Sequence, residues 1–274
     1  MNIEGLFSLK GKTIIITGAA GLLGRSYALA LSAAGANLVL VDIDETGLKS
    51  LSKSLHGKGK LMNITCDISL EKNIIEAKNK IISEFQGPFV LINNAAVDSK
   101  VSSIKKEGKL NRLENFPLDN WKNEMNIGLT AAMLFCKHIG PVMAEEGRGL
   151  ILNVSSDLGV ISPDQRLYYS EKIEETEQNV KPVSYSVIKH ALIGLTKYVA
   201  TYWAKDGVRC NAIAPGGVFN NQPEEFVTRV EKLIPLGRMA GIDEYSGLIV
   251  FLCSDASSYI NGETIVIDGG RSIW

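Results

Sequence analysis

The chain alternates short β-branched runs with longer stretches in which apolar residues recur every three or four positions. Strands need about four to eight residues and helices about ten or more, so this pattern predicts strands separated by helices. The predicted strands are residues 13–17, 37–41, 60–65, 89–92, 150–154, 208–213 and 264–267. The predicted helices lie near 22–34, 45–55, 70–85, 118–145, 184–204 and 243–253. The alternation predicts an α/β fold, a doubly wound seven-stranded parallel sheet (Rossmann-like) with helices on both faces.

Composition limits the classes of partner. The chain has 274 residues, 45% of them apolar, and no Pro/Gly-rich linker, which predicts a single domain over 1–274. A net charge of −1 and a pI near 6.3, with scattered Lys and Arg, indicate small-molecule partners rather than nucleic acid or a membrane. No signal-peptide pattern and no apolar run of roughly 20 residues is evident, so a cytoplasmic protein is expected.

Cysteine and histidine spacing gives no sign of a metal site. The four cysteines form no Cys-x-x-Cys pair, and the three histidines do not lie at metal-ligand spacing from one another or from a cysteine. Buried free thiols and no bound metal are therefore expected.

Two polar stretches, 97–115 and 157–183, interrupt the alternation of strands and helices. Loops of this length are uncommon unless they bind something or are disordered. Both follow the carboxyl end of a predicted strand, where parallel sheets bind their ligands. We interpret them as walls or lids of a pocket. A solvated insertion remains the alternative for the acidic run Glu171, Glu174, Glu175 and Glu177.

A glycine-rich turn joins the first predicted strand to the next helix, as Thr17-Gly18-Ala19-Ala20-Gly21-Leu22-Leu23-Gly24. Glycines permit a tight turn and let a pyrophosphate approach the backbone N–H groups at a helix N-terminus, where the helix dipole favours negative charge. In this strand-to-helix context the pattern predicts a dinucleotide site. The residues expected to contact the cofactor here are Gly18, Gly21, Leu23 and Gly24.

An acidic residue at the end of the second predicted strand indicates which dinucleotide binds. Asp42 lies 24 residues after Gly18, a placement that suits hydrogen bonds from the adenosine ribose and repels a 2′-phosphate, so NAD is favoured over NADP. Asp44 could take this role instead, or either acid could cap the following helix. Residues after the third and fourth strands could frame the adenine or lie against the dinucleotide: Asp67, Ile68, Asn94 and Ala95.

A tyrosine and a lysine after the fifth strand are the candidate acid/base pair. Tyr185 and Lys189 are four residues apart in a helical stretch, 29 residues beyond Ser156, and would share one helix face. A phenol has an unperturbed pKa of about 10, and a neighbouring ammonium favours its ionised form. The pair is therefore interpreted as the acid/base machinery of a nicotinamide-dependent oxidoreductase.

With these motifs in this order, the chain resembles the short-chain dehydrogenase/reductase family over essentially its whole length. The matching motifs are Thr17-Gly18 to Gly24, Asp67, Asn93-Asn94-Ala95, Asn126, Ser156, Tyr185 to Lys189, Asn211 to Pro215-Gly216, and Asp268-Gly269-Gly270. The resemblance implies that Tyr185 is the catalytic acid/base and that Ser156 hydrogen-bonds the substrate oxygen. It also implies that Tyr185 and Lys189 contact the cofactor, with Lys189 holding the nicotinamide ribose while favouring the ionised tyrosine.

The resemblance carries two further expectations. Asn126 would position a water that relays protons through Lys189, and Pro215, Gly216 and Val218 would lie beside the nicotinamide carboxamide. Family members commonly pair the helices near 118–145 and 184–204 across a twofold axis, so a homodimer or homotetramer is expected. A monomer on light scattering would contradict that expectation.

The sequence departs from the family pattern in three places. Leu22 stands where single-domain members have the second glycine of the turn, and Ala96 replaces a glycine. The position of Gly21 is more like the sugar-nucleotide-modifying branch, so an epimerase or dehydratase that retains NAD stays open. The serine-to-tyrosine spacing is also unusually long because of the 157–183 stretch.

That stretch contains a rival pair, Tyr168 and Lys172, which begins only 12 residues after Ser156. The residues after Lys172 are polar and are soon interrupted by Pro182, so they do not predict the long buried helix that must hold such a pair. Apolar residues do follow Lys189, which favours Tyr185 as the acid/base.

Together the motifs predict an NAD-dependent oxidoreductase that interconverts a secondary alcohol and a ketone. A carbohydrate-like substrate is favoured by polar candidate pocket residues: Asp98, Ser99, Asp157, Gln165, Tyr168, Tyr169 and Asn220. The 157–183 stretch and residues 269–274 are similar to family members of bacterial surface-sugar pathways. The alternatives are an NADP-dependent carbonyl or acyl-chain reductase and a non-catalytic NADH-binding regulator.

Overall fold

The computed structural model describes residues 3–97, 110–171 and 173–274. Its seven strands form one parallel sheet in the order β3-β2-β1-β4-β5-β6-β7, which confirms the predicted doubly wound α/β fold. The strands are β1 (Thr13–Thr17), β2 (Asn37–Asp42), β3 (Leu61–Thr65), β4 (Phe89–Asn93), β5 (Gly149–Val154), β6 (Val208–Pro215) and β7 (Thr264–Ile267). Each predicted strand is present, with ends that differ by at most two residues.

The helices with described bounds are α1 (Ile3–Phe7), α2 (Leu22–Ala33), α3 (Glu45–Ser54), α4 (Glu71–Glu84), α5 (Leu118–Glu145), α6 (Val183–Tyr202), α7 (Glu224–Glu231) and α8 (Ser246–Cys253). Helix α5 contains one π-helical turn, Asn126–Thr130. Helices α1 and α7 were not predicted, and the stretch predicted as a helix from residue 243 begins as the 3-10 turn Ile242–Tyr245 before α8.

The sheet is buried on both faces, which explains the nearly continuous apolar runs of its central strands. Side chains alternate along β1: Ile14 and Ile16 pack in one core cluster with Tyr27 of α2, whereas Ile15 packs in the cluster on the other face. The four cysteines are free and buried. Burial raises the pKa of the Cys136 and Cys253 thiols to about 12.

Helix α5 is long and apolar enough, by length and composition, to cross a membrane, but half of its most apolar window is buried inside the protein. Phe135, Ile139 and Met143 follow one another at four-residue spacing on the buried face and belong to a core cluster. The helix therefore reads as a core helix of this α/β fold.

The 157–183 stretch forms short 3-10 turns at Asp157–Gly159, Gln165–Tyr168 and Glu175–Glu177. Arg229 of α7 donates to the carbonyl oxygens of Leu167 and Tyr169, and the Tyr168 ring lies 5.5 Å from that of Phe226. The stretch is thus held against α7. The acidic side chains Glu171, Glu174 and Glu175 are exposed, as the solvated alternative expects. Most of the other polar stretch, 97–115, lies outside the described residues.

Candidate active site

The sheet order changes direction between β1 and β4, because β1 continues to β2 on one side whereas β4 continues to β5 on the other. Ligands of such sheets bind in the crevice at this switch point, beyond the carboxyl ends of the strands. The Thr17 hydroxyl accepts from the N–H groups of Asn94 (3.0 Å) and Ala95 (3.1 Å). The Asn94 amide donates to the carbonyl oxygens of Thr17 and Gly18, each at 3.0 Å. Thr17, absent from the predicted set, therefore locks the two strand ends together.

The glycine turn is too tightly built for side chains at two positions. Gly18 has a φ of +64°, and a Cβ on it would lie 2.7 Å from the Cα of Ala95. A Cβ on Gly24 would lie 2.3 Å from the carbonyl oxygen of Gly18. These residues therefore hold the end of β1, β4 and the start of α2 in close contact.

The N-terminus of α2 fits a pyrophosphate. Gly21 is its N-cap residue, and no side chain caps the helix. The first N–H groups of a helix have no intrahelical acceptor, so an uncapped terminus offers them, together with the helix dipole, to an anion. Leu23 is partly buried against the core from the first turn.

Two carboxylates follow β2, and the structure gives them different partners. The Asp44 side chain accepts from the N–H of Gly47 at 2.9 Å and so caps α3. Asp42 accepts from the N–H of Ala20, in the glycine turn, at 2.8 Å, and from that of Asp44 at 3.0 Å. Asp42 is therefore the acid that contacts the glycine turn of the predicted cofactor site, whereas Asp44 caps α3.

The residues after β3 are largely engaged locally. Asp67 accepts from both the N–H (2.9 Å) and the hydroxyl (2.7 Å) of Ser69. The Ile68 side chain is buried in the core cluster that contains Ile74 and Leu91. Their predicted contacts with the adenine remain predictions.

Buried amides fix α6, the helix of the acid/base pair, to the sheet. Asn93 at the end of β4 donates to the Asn153 side-chain oxygen at 2.8 Å, and Asn153 donates to the Thr196 hydroxyl on α6 at 2.8 Å. The Ser155 hydroxyl, just after β5, donates to the carbonyl oxygen of Lys189 at 2.7 Å. These bonds join the carboxyl ends of β4 and β5 to α6 and set the helix orientation.

The tyrosine of the predicted pair has two ammonium groups close to its ring. Lys189 is buried, and its ammonium donates to the Val154 carbonyl oxygen at 2.8 Å and lies 5.6 Å from the Tyr185 ring centroid. The ammonium of Lys181 lies closer, 3.7 Å from the same centroid. Both positive charges favour a negatively charged phenolate. Lys181 was missed at the level of sequence, although it precedes Tyr185 by the same four residues that separate Tyr185 from Lys189.

The candidate serine has a buried charged neighbour. Ser156 donates its hydroxyl hydrogen to an Asp157 carboxylate oxygen at 2.8 Å and accepts from the N–H of Leu158 at 3.2 Å. The other Asp157 oxygen pairs with Arg271 at 2.7 Å. Asp157 was predicted to bind substrate hydroxyls, but it is buried and both of its oxygens are engaged within the protein.

Asn126 begins the π-helical turn of α5 and is exposed. On either side of it, α5 contacts α6: Glu124 accepts from the Ser184 hydroxyl, and a Cβ on Gly128 would lie 2.9 Å from the Ile188 side chain. The π turn therefore lies on the segment of α5 that packs against the acid/base helix. Single π turns of this kind are frequent at functional sites.

The residues at and after the end of β6, which were predicted to lie beside the nicotinamide carboxamide, are held in place by contacts within the protein. The Tyr245 hydroxyl donates to the Gly216 carbonyl oxygen at 2.9 Å, and Val218 forms an isolated parallel bridge with Ala240. A Cβ on Gly216 would lie 2.8 Å from the Cα of Asp268. Burial, and secondarily the charges of Asp157, Glu244 and Asp268, raise the pKa of Tyr245, so it stays a neutral donor.

The remaining candidate pocket residues have varied surroundings. The Gln165 side chain accepts from the N–H of Lys181 at 2.9 Å and so fixes the backbone beside Tyr185. Tyr168 lies in a 3-10 turn rather than a long helix, and Asn220 donates its N–H to Gln222 at 2.7 Å. Tyr169 is exposed. Asp98, Ser99 and Lys172 lie outside the described residues.

Across the ranges 3–97, 110–171 and 173–274, the structure shows no cluster of three His, Cys, Asp or Glu residues that could hold a metal ion. The uncapped helix, the Asp42 carboxylate and the tyrosine with its two ammonium groups instead suit an organic dinucleotide. Such features at the carboxyl ends of a parallel sheet are typical of a dinucleotide-dependent oxidoreductase site.

Comparisons with known proteins agree with this class. A family model described as enoyl-(acyl carrier protein) reductase matches residues 18–272. The chain is 30% identical over 279 residues to a D-threitol dehydrogenase of Mycolicibacterium smegmatis, covering 100% of this chain and 97% of the relative. It is 31% identical to a 2-dehydro-3-deoxy-D-gluconate 5-dehydrogenase of Bacillus subtilis, covering 98% and 97%. The chain belongs to the short-chain dehydrogenase/reductase family.

Solved structures share the whole fold. A short chain dehydrogenase from Leptospira borgpetersenii with bound NAD+ has a TM-score of 0.80 at 26% identity, covering 99% of this chain and 96% of that chain. A gluconate 5-dehydrogenase from Burkholderia cenocepacia in complex with NADP and tartrate has a TM-score of 0.83 at 23% identity, covering 99% of both chains. Both forms of the nicotinamide cofactor thus occur on this fold.

Proposed function

We propose that this protein is an NAD(H)-dependent dehydrogenase that interconverts a secondary alcohol and a ketone on a polyol, sugar or sugar acid. The observation that carries the proposal is the Tyr185 ring with the ammonium groups of Lys181 and Lys189 at 3.7 and 5.6 Å from its centroid, where Lys189 is bonded to the carboxyl end of β5. A binding module has no need of an acid/base tyrosine. The similar D-threitol and 2-dehydro-3-deoxy-D-gluconate dehydrogenases support a substrate with several hydroxyl groups.

The protein groups manage one proton and the position of one oxygen atom. When bound, the nicotinamide ring supplies or accepts the hydride. In the oxidative direction the Tyr185 phenolate takes the proton of the substrate hydroxyl, and the two ammonium groups stabilise the phenolate beforehand. Ser156 orients the substrate oxygen by a hydrogen bond. By resemblance to the family, Asn126 would hold a water through which Lys189 exchanges protons with solvent, and its exposure at the start of the π turn supports this role.

Initial rates on a substrate panel test the proposal. The purified chain with NAD or NADH is assayed against polyols, sugars, sugar acids and β-keto thioesters, with the absorbance of NADH as the signal. Turnover of polyols or sugar acids is expected. Turnover of thioesters alone would favour an acyl-chain reductase, and tight NADH binding without any turnover would favour a regulator. Either result contradicts the proposal.

The choice of NAD rests on Asp42, since both cofactors occur among the similar structures. Its carboxylate, held against the glycine turn by the Ala20 N–H at 2.8 Å, would repel a 2′-phosphate. Arg25, a cation of α2, donates from Nε to the carbonyl oxygen of Ala20 (2.7 Å) and from one Nη to that of Gly47 (3.2 Å), which directs these N–H groups to the backbone.

Asp42→Asn is expected to raise the ratio of kcat/KM for NADP to that for NAD by about tenfold or more, because it removes the repelling charge and keeps an acceptor for the Ala20 N–H. Asp44→Ala is the matched control. It removes the cap of α3, costs about 1 kcal/mol of folding free energy and leaves the cofactor ratio unchanged. A wild-type chain that uses NADP as well as NAD would refute the assignment.

A further inference from the structure

The Ser156 hydroxyl, which is expected to hydrogen-bond the substrate oxygen, already forms hydrogen bonds within the protein. A serine hydroxyl has one hydrogen to donate and two lone pairs to accept with. The hydrogen of Ser156 goes to Asp157 at 2.8 Å, and the Leu158 N–H occupies one lone pair at 3.2 Å. For Ser156 to donate to a substrate oxygen, its hydrogen must leave the carboxylate. The strength with which Asp157 holds that hydrogen therefore affects catalysis.

Arg271 affects how strongly the Asp157 carboxylate holds the Ser156 hydrogen. It bonds the second Asp157 oxygen at 2.7 Å, and the two side chains are 9% and 4% exposed. Away from water, a carboxylate without a partner cation is a far stronger acceptor than one whose charge is shared. With Arg271 in place, part of the Asp157 charge is drawn to the guanidinium. The Leu158 N–H, at 2.8 Å from the oxygen that Ser156 also bonds, gives that oxygen a second donor when the serine hydrogen departs.

The turn that follows β7 holds Arg271 in position beside Asp157. Asp268 accepts from the N–H groups of Gly270 and Ser272, each at 2.8 Å. Gly270 has a φ of +91°, and a Cβ on it would lie 2.9 Å from Pro235. The Trp274 indole donates to the Leu233 carbonyl oxygen at 2.9 Å. The turn after β7 is thus fixed on both sides of Arg271.

We infer that Arg271 is a positioning residue for the reaction: by pairing with Asp157, it holds the Ser156 hydroxyl in one orientation and keeps its hydrogen available to the substrate oxygen. The inference rests on the proposed alcohol/ketone chemistry. Through Asp157, which precedes Arg271 by 114 residues, it connects the C-terminal turn to the candidate catalytic serine.

Arg271→Met is expected to lower kcat about 10- to 100-fold with less than a threefold change in KM, because the unpaired Asp157 keeps the serine hydrogen that the transition state requires. Arg271→Lys, which retains the charge, should recover most of kcat. The double variant Asp157→Asn/Arg271→Met removes both charges and should recover kcat to within about tenfold of the wild type. Lys49→Met is the matched control. It breaks an exposed pair with Glu45 on α3 and should leave kcat within about twofold.

Melting of the cofactor-free variants gives a second readout, in which the double variant melts at a higher temperature than Arg271→Met. If Arg271→Met does not fold, the double variant Asp157→Asn/Arg271→Met tests the inference instead. A kcat of this double variant more than tenfold below wild type overturns the inference. So does a folded Arg271→Met with wild-type kcat, or a Lys variant as slow as the Met variant. A wild-type chain that turns over no panel member overturns the proposed function and the inference together, whereas active variants overturn the inference alone.

Discussion

Tyr185→Phe is expected to lower kcat by about 10²- to 10⁴-fold, the range that a positioned general acid/base contributes. The phenyl ring keeps its contacts with the ammonium groups of Lys181 and Lys189 but has no proton to give or take. The Kd for NADH, measured by fluorescence titration, should change by less than about threefold, since the fold and the glycine turn are untouched.

Tyr168→Phe is the matched control, because Tyr168 is the rival tyrosine of the sequence. Its ring lies 5.5 Å from that of Phe226 and would keep this contact as phenylalanine. We expect its kcat to stay within about twofold of the wild type, and a rise confined to KM would mark the Tyr168 hydroxyl as a substrate contact rather than the acid/base. A fully active Tyr185→Phe enzyme, or an inactive Tyr168→Phe enzyme, would reverse the assignment of the acid/base.

Gly24→Ala is expected to lower the free energy of unfolding by about 1–3 kcal/mol and to weaken NADH binding at least tenfold. The added Cβ would lie 2.3 Å from the Gly18 carbonyl oxygen and 2.8 Å from the Cα of Ala19, so the turn must move away from α2. Both contacted atoms belong to the backbone, which cannot yield as a flexible side chain can. Urea unfolding and fluorescence titration with NADH measure the two effects.

Gly194→Ala is the control for Gly24→Ala. It makes the same chemical change but is expected to stabilise the protein. Gly194 is exposed in α6, and a Cβ there meets nothing within 4 Å. Alanine should therefore raise the unfolding free energy by about 0.5–1 kcal/mol through its better helix propensity, with NADH binding unchanged. Equal stability losses in the two variants would show that the tight packing around Gly24 is not what constrains the turn.

The fold was predictable because its signals are local. The runs that became β1 and β4 are buried at every position, and parallel strands covered on both faces require such runs. Helix α7 was missed because it has eight residues within a polar segment, although Pro223 and two glutamates mark its start. The residues predicted as a helix from 243 begin as a 3-10 turn, since boundaries depend on tertiary packing.

Some features of the candidate site could likewise be predicted from local sequence, and others could not. Tyr185 and Lys189 could be paired from sequence because helical periodicity fixes residues four apart on one face. The roles of Asp42 and Asp44 could not be separated, since both follow β2 and either can cap a helix. The structure assigns the cap to Asp44 and the contact with the glycine turn to Asp42.

What the sequence by itself determined is the doubly wound class, the glycine turn and the tyrosine-lysine pair, because each depends on spacings within one strand, turn or helix. Only the tertiary structure decided that Asp157, the hydrogen-bond acceptor of Ser156, pairs with Arg271, 114 residues later. It also decided the position of Lys181 beside the Tyr185 ring. No local pattern encodes such contacts. They arise when parallel packing brings the carboxyl ends of distant strands to one edge of the sheet.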